Sequence, residues 1–378
     1  MKHLKSKYVF HGLQSVGTGL LAAACLGMAG CSGLTPAAVS GTSPVTPSTT
    51  QSPAAPLGKG GGTGTGIPAT TLYQVGPTNT SPVHSVVYQY NLAAGPISPV
   101  GSITLPGTFG GYNVTTDLSG QIYVAASDDP VTQYKVYVFP AGSTESATPA
   151  RTITITDPNR YPQQIAVDSA GLLYVATFLD NNVGNYVNVY SATADAGSVP
   201  IRTLNLSSAV PYSATTMAVD ATGNIYILNP SPGPSLASTV SVFSPTSDGT
   251  VPTRTFTIPW QGNGMTVDVS GNVFVNVMGG TNANRYQAVE EFGPTSSGNI
   301  LPGNTITLSV PTGTLYLGGF VALDGVGNLY TAQSLESLTS PAAKVTYSIL
   351  QFNQTATGSA SPTMTIDPTL YYSGVAFR

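Results

Sequence analysis

The chain has 378 residues, of which 7% are charged, and its formal net charge is −4. Ordinary soluble domains carry roughly 25% charged residues, so this composition argues against helices with solvated Lys/Glu faces, and it excludes the basic stripe a nucleic-acid binder needs. With 42 Gly and 30 Pro, it suits many short strands joined by turns.

Residues 1–30 read as an export signal. Lys2, Lys5 and Lys7 form a basic start, and the apolar stretch 19–29 is too short to span a bilayer. It ends Met28-Ala29-Gly30-Cys31, which resembles a bacterial lipobox and implies a diacylglyceryl group on the Cys31 thiol. Cys25, after three alanines, fits less well. Cleavage before Cys31 would leave one acylated Cys and one His, His84. No disulfide, thiol nucleophile or Cys-type zinc site would then remain. Loss of three lysines would also carry the charge to about −7, a mildly acidic exported form.

Residues 31–69 are Pro, Ser, Thr, Ala and Gly without apolar periodicity, as expected of a disordered tether reaching about 30–35 Å. Ser32 directly after Cys31 points to outer-membrane rather than inner-membrane retention. The expected location is therefore the bacterial cell envelope, with the membrane engaged through the lipid.

From residue 70 onward the pattern is β. LYQV from Leu72, VVYQYNL from Val86 and PVGSITL from Pro99 match three strands of a unit whose first strand is missing. A phrase then repeats five times: VTTDLSGQIYVA, IAVDSAGLLYVA, MAVDATGNIYIL, MTVDVSGNVFVN and VALDGVGNLYTA, with Asp117, Asp168, Asp220, Asp268 and Asp324. The spacing of roughly fifty residues is that of propeller blades. Each copy continues into an alternating strand, a polar turn, a Pro and a short outer strand, as in VSVFSPTSDGTVPTRTFTI from Val240. At the end, GVAFR from Gly374 matches a first strand. Residues 70–378 therefore predict an all-β, six-bladed β-propeller closed by a clasp of one C-terminal and three N-terminal strands, which hides the sheet edge both ends would expose.

The DxxGN-aromatic turn with its preceding small or apolar residues resembles the NHL-repeat and gluconolactonase-like six-bladed propellers of bacteria, over residues 72–378. The resemblance is specific for fold and weak for function, because such propellers include lactonases, lyases, sugar binders and scaffolds.

The five recurring Asp residues fit tight turns in which the carboxylate accepts backbone N–H groups and Gly supplies a positive φ. A metal role is the alternative. Tyr123, Tyr174, Tyr226, Phe274 and Tyr330 are expected between blades rather than at a ligand. Arg151, Arg202 and Arg254, after the Pro in three units, are expected to protect solvated edges.

The linkers between units each carry an aromatic: Phe109 and Tyr112, Tyr161, Tyr212, Trp260, Tyr316, and Tyr371 with Tyr372. Around one channel mouth they would stack on sugar rings or cap an apolar ligand; otherwise they fill gaps between blades. Asp128, Asp129 and Asp180 fall in the loops between second and third strands. They are candidate ligands for Ca2+ or another divalent ion, which needs six to eight oxygens, or simply solvated loop residues. Gluconolactonase-type enzymes converge a Glu, an Asn and Asp residues on a metal, but no acidic residue lies between Met1 and Val114 here. No G-x-S-x-G elbow or phosphate-cradling loop occurs. The sequence thus points to a lipid-anchored module that binds an envelope protein or glycan, with no cofactor and no catalytic residue assigned. A metal-dependent lactonase or hydrolase is the alternative.

Overall fold

The computed structural model describes residues 71–77, 85–94, 99–128, 133–145, 147–155, 162–177, 185–206, 216–229, 237–281, 284–311, 314–316, 319–337, 345–366 and 374–377. The expected signal segment 1–30 and tether 31–69 lie outside them.

Nearly every element is a strand, and the strands form six small antiparallel sheets. Blade 1 is Thr108–Thr116, Ile122–Asp128, Tyr134–Phe139 and Arg151–Ile155. Blade 2 is Gln164–Val167, Leu173–Thr177, Tyr186–Tyr190 and Arg202–Asn205. Blade 3 is Thr216–Val219, Ile225–Asn229, Ser238–Phe243 and Arg254–Ile258. Blade 4 is Gln261–Val267, Val273–Thr281, Asn284–Phe292 and Asn304–Thr307. In blade 5, Thr314–Tyr316 and Val321–Leu323 both pair with Leu329–Ser337, followed by Val345–Phe352 and Met364–Ile366. Blade 6 has the order Gly374–Phe377, Thr71–Pro77, Ser85–Asn91, Gly101–Thr104. Within it Leu72 stands opposite Phe377 and Val75 opposite Gly374.

The innermost strands touch in cyclic order, blade 1 to 2 and onward to 6, and blade 6 to 1. This is a six-bladed β-propeller. Antiparallel connectivity puts the links from strand one to two and from three to four on one face, called here the turn face. Links from strand two to three, and from each blade to the next, open on the other, the loop face.

The core lies between blades. Tyr226, Leu228 and Val240 of blade 3 pack with Met265, Val273 and Val275 of blade 4, and the same arrangement joins blades 2 and 3. A second strand is therefore covered on both faces, which is why Leu173–Thr177 and Ile225–Asn229 are buried at every position and read as apolar runs instead of alternating.

The repeated Asp builds the turn. Asp220 Oδ1 accepts the backbone N–H of Thr222 and Asn224 at 2.9 Å each, and Oδ2 accepts the Asn224 amide at 2.8 Å and the Tyr226 hydroxyl at 3.1 Å. Asp168, Asp268 and Asp324 repeat the two backbone bonds. Gly223 closes the turn at φ 83°, in the left-handed region that only Gly enters without strain. Burial alone would raise the Asp220 carboxyl, but the bonds from Asn224 and Thr222 outweigh it and hold the group below its ordinary value.

The arginines act differently from solvated edge residues. Arg151 Nη1 donates to the carbonyls of Ala192 and Ala194 at 2.8 and 3.0 Å, Arg202 Nη1 to Ser247 at 3.3 Å, and Arg254 Nη1 to Ser296 at 3.0 Å. Each therefore reaches from its blade's outer strand to the three-to-four link of the next blade. Asn304 does the same from blade 4, donating to the Ala356 carbonyl at 3.2 Å. The guanidinium stem also covers an aromatic: Arg254 sits 5.8 Å from the Tyr226 ring centroid. The sequence signal for an exposed edge and for an inter-blade staple is the same, because both put Arg at the start of a fourth strand.

Candidate functional site

The loop face presents the ends of strands two and three, and there the apolar pattern gives way to amides and hydroxyls. Ser127, Thr177, Asn229, Asn276, Gln287 and Gln333 are all buried. Some tie adjacent blades together. Asn276 Nδ2 donates to Thr331 Oγ1 at 2.8 Å, and Gln333 Nε2 donates to Gln287 Oε1 and to the Ser309 carbonyl, both at 3.0 Å. Others have no partner among the described residues: Thr177 Oγ1, Asn229 Oδ1 and Gln287 Nε2. Strands one are laced similarly, with Asn113 Oδ1 accepting the Ile165 N–H at 3.3 Å and Gln164 Oε1 the Met217 N–H at 2.9 Å.

Trp260 occupies the link between blades 3 and 4 and is half-buried. Its ring lies 5.2 Å from that of Tyr286 at 37°. Gly279 makes this possible, since a Cβ there would meet the indole, with Cδ2 at 2.8 Å. Tyr286 in turn donates to Glu290 Oε1 at 3.3 Å. Glu290 is 2% exposed, and its Oε2 has no partner among the described residues. Burial pushes its carboxyl up to about 7, against a smaller opposing effect of the Tyr286 bond, and pushes the Tyr286 phenol up to about 12, aided by the Glu290 charge.

Tyr112 lies in blade 1, across the ring from Trp260. It is half-buried, with its hydroxyl 3.3 Å from Ser127 Oγ and its ring edge-on to Tyr134 at 6.3 Å. The structure thus does not bring Tyr112 and Trp260 together. The backbones of Phe109, Tyr316 and Asp128 are in strands, with Asp128 opposite Thr108, while their side chains lie outside the described residues. So do Cys31, Asp129, Tyr161, Asp180, Tyr212 and Tyr371 altogether. Among the described residues no group of three or more His, Cys, Asp or Glu side chains is placed to hold a metal ion.

On the turn face, a cavity of about 330 Å³ between blades 3 and 4 is lined by Asp220, Tyr226, Thr253, Arg254, Val269 and Pro294, among others. Its charged groups are the turn carboxylate and the staple guanidinium, both engaged as described above.

Tyr286, Glu290 and the amide set escaped the sequence reading. A signal did exist: Thr331 and Gln74 stand where the other second strands have Val124, Val175, Ile227 and Val275. At Thr331 this departure marks a polar contact between blades, with Asn276; at Gln74 it marks a buried amide with no partner among the described residues.

No family model and no curated protein matches the sequence. The chain is similar to several solved structures. A protein from Lactobacillus plantarum is 12% identical, covering 82% of this chain and 100% of that one with a TM-score of 0.49. A putative 6-phosphogluconolactonase from Bacteroides uniformis is 11% identical, covering 82% and 100% with a TM-score of 0.47. A calcium-binding protein, regucalcin, from Agrobacterium tumefaciens is 12% identical, covering 83% and 95% with a TM-score of 0.39. At such identities the activity must be argued from this chain's own residues.

Proposed function

We propose that the protein is a lipid-anchored propeller of the bacterial cell envelope, held in the outer membrane through Cys31, that binds a protein or glycan partner at its loop face without catalysing a reaction. The observation that carries this reading is chemical. The carboxylates repeated from blade to blade are consumed in turns on the opposite face, while the strand ends under the loops carry amides, hydroxyls and the Trp260–Tyr286 pair. The half-buried aromatic pair stacks on hydroxyl-rich or peptide ligands, while the buried amides and hydroxyls beneath it hold neighbouring blades in place.

Trp260 is the only Trp, so its fluorescence reports on that site directly. Titration with soluble peptidoglycan fragments should shift its emission, and Trp260→Ala and Tyr212→Ala should weaken binding. Equal binding by both variants would overturn the aromatic contribution. A metal-dependent lactonase would instead turn over gluconolactone with a divalent ion and lose that turnover in Asp128→Asn, Asp129→Asn or Asp180→Asn; this result would overturn the binding reading.

A further inference from the structure

Seven large apolar side chains are exposed among the described residues: Val100, Leu118, Val199, Ile201, Val251, Val269 and Leu301. All stand in one-to-two turns or three-to-four links, and therefore on the turn face. They concentrate where blades 2, 3 and 4 each place an aliphatic residue before the link's Pro: Val199 at 70%, Val251 at 72% and Leu301 at 81% exposure. Blades 1 and 5 have Thr148 and Ser361 at that place. The repeat tolerates a polar residue there, so the fold itself does not require the three aliphatics.

They follow one another around the ring, each link pressed onto the preceding blade. The Asn205 N–H donates to the Asp248 carbonyl at 2.7 Å, which sets the link containing Val251 beside the outer strand that Val199 and Ile201 lead into. Gly298–Asn299 likewise pairs in parallel with Phe256–Thr257, bringing Leu301 alongside blade 3. The face carries exposed Glu145, Asp195 and Asp248. Its described cations are the three arginines already holding carbonyls.

The same face receives the N-terminal segment. Thr71 begins a second strand, opposite Asn91 at the end of a third, so the chain preceding it attaches on the turn face. A lipid on Cys31 would therefore tether the propeller from this face.

We infer that the strip Val199, Ile201, Val251 and Leu301 is a membrane-docking surface that rests on a zwitterionic lipid interface and leaves the loop face turned away for its partner. This rests on the lipid anchor proposed above. Apolar side chains at an interface bind in proportion to buried area, and the acidic neighbours select against anionic headgroups.

The six blades close on one another without residues before Thr71, so a chain from residue 31 carrying Cys31→Ser keeps the fold and lacks the lipid. It should co-sediment with phosphatidylcholine/phosphatidylethanolamine vesicles, and less with vesicles containing phosphatidylglycerol. Replacing the four strip residues by Ser should lower its partition about tenfold with an unchanged thermal melt, since all four side chains are exposed. No partition, equal partition of the serine variant, or a preference for anionic vesicles would overturn docking. So would a dimer in sedimentation velocity that the serine changes dissociate, which would assign the strip to a second copy. Mass analysis of the native N-terminus reads lipidation separately, so an unmodified Cys31 would refute the anchor without touching the strip's measured affinity.

Discussion

Replacing Glu290 by Gln should make the propeller more stable at pH 8 and less stable at pH 4.5. Glu290 shares the inner face of its strand with Tyr286, Ala288 and Phe292, against the core between blades 3 and 4. Burial raises its folded-state pKa from the ordinary 4.5 to about 7. Below pH 4.5 both folded and unfolded chains are protonated, and the group imposes no charge penalty. Between 4.5 and 7 the unfolded chain releases the proton first, so stability falls as pH rises, and above 7 the loss is complete. At about 1.4 kcal/mol per pH unit, that loss is about 3 kcal/mol. An amide cannot ionise, but its NH2 inherits the unpartnered place of Oε2 at a cost of about 1–2 kcal/mol. The net gain of Glu290→Gln at pH 8 is therefore about 1–2 kcal/mol. Urea unfolding of both proteins from pH 4.5 to 8.5 reads the difference directly, because every other titrating group is common to both. A stability difference that does not change with pH would refute the reasoning.

Three further outcomes follow from the packing. Gln74 is fully buried between blades 5 and 6, and neither of its amide atoms has a partner among the described residues; Gln74→Leu should raise stability by about 1–3 kcal/mol in denaturant melts, and a loss would show that the amide is satisfied. Arg254→Ala should cost about 1–2 kcal/mol by removing the Ser296 bond and the cover over Tyr226, and Arg254→Lys should recover only part, because Lys has no planar fork. Gly279→Ala must push the indole off its strand, so Trp260 emission should move to the red and the emission should become more accessible to acrylamide; an unchanged spectrum would mean that the backbone yields instead.

The recurrent Asp and Gly residues made the blade count legible in the one-dimensional sequence, because a tight turn is a local structure whose requirements are met within a few residues. Asp117 through Asp324 could be placed in turns for the same reason. The roles of Arg151, Arg202 and Arg254 were not legible, since their acceptors are carbonyls about forty residues further along the chain. Glu290 was hidden in a different way. It sits in an alternating strand beside Glu291, and nothing in the pair EE says which carboxylate faces the core. That choice depends on register with Val275 and Thr305 and on the blade packed against it.

The candidate site divides along the same line. Composition and spacing named the aromatic residues of the inter-blade links, but only packing across blades showed Trp260 lying on Tyr286 over Gly279, and Tyr112 standing on the far side of the ring. A closed six-bladed array was readable from the repeats, because each carries its own turn and cannot bury its faces without neighbours. Tertiary structure alone decided which polar groups are stranded between blades and which apolar ones gather on the turn face, because those facts depend on contacts between residues some fifty positions apart.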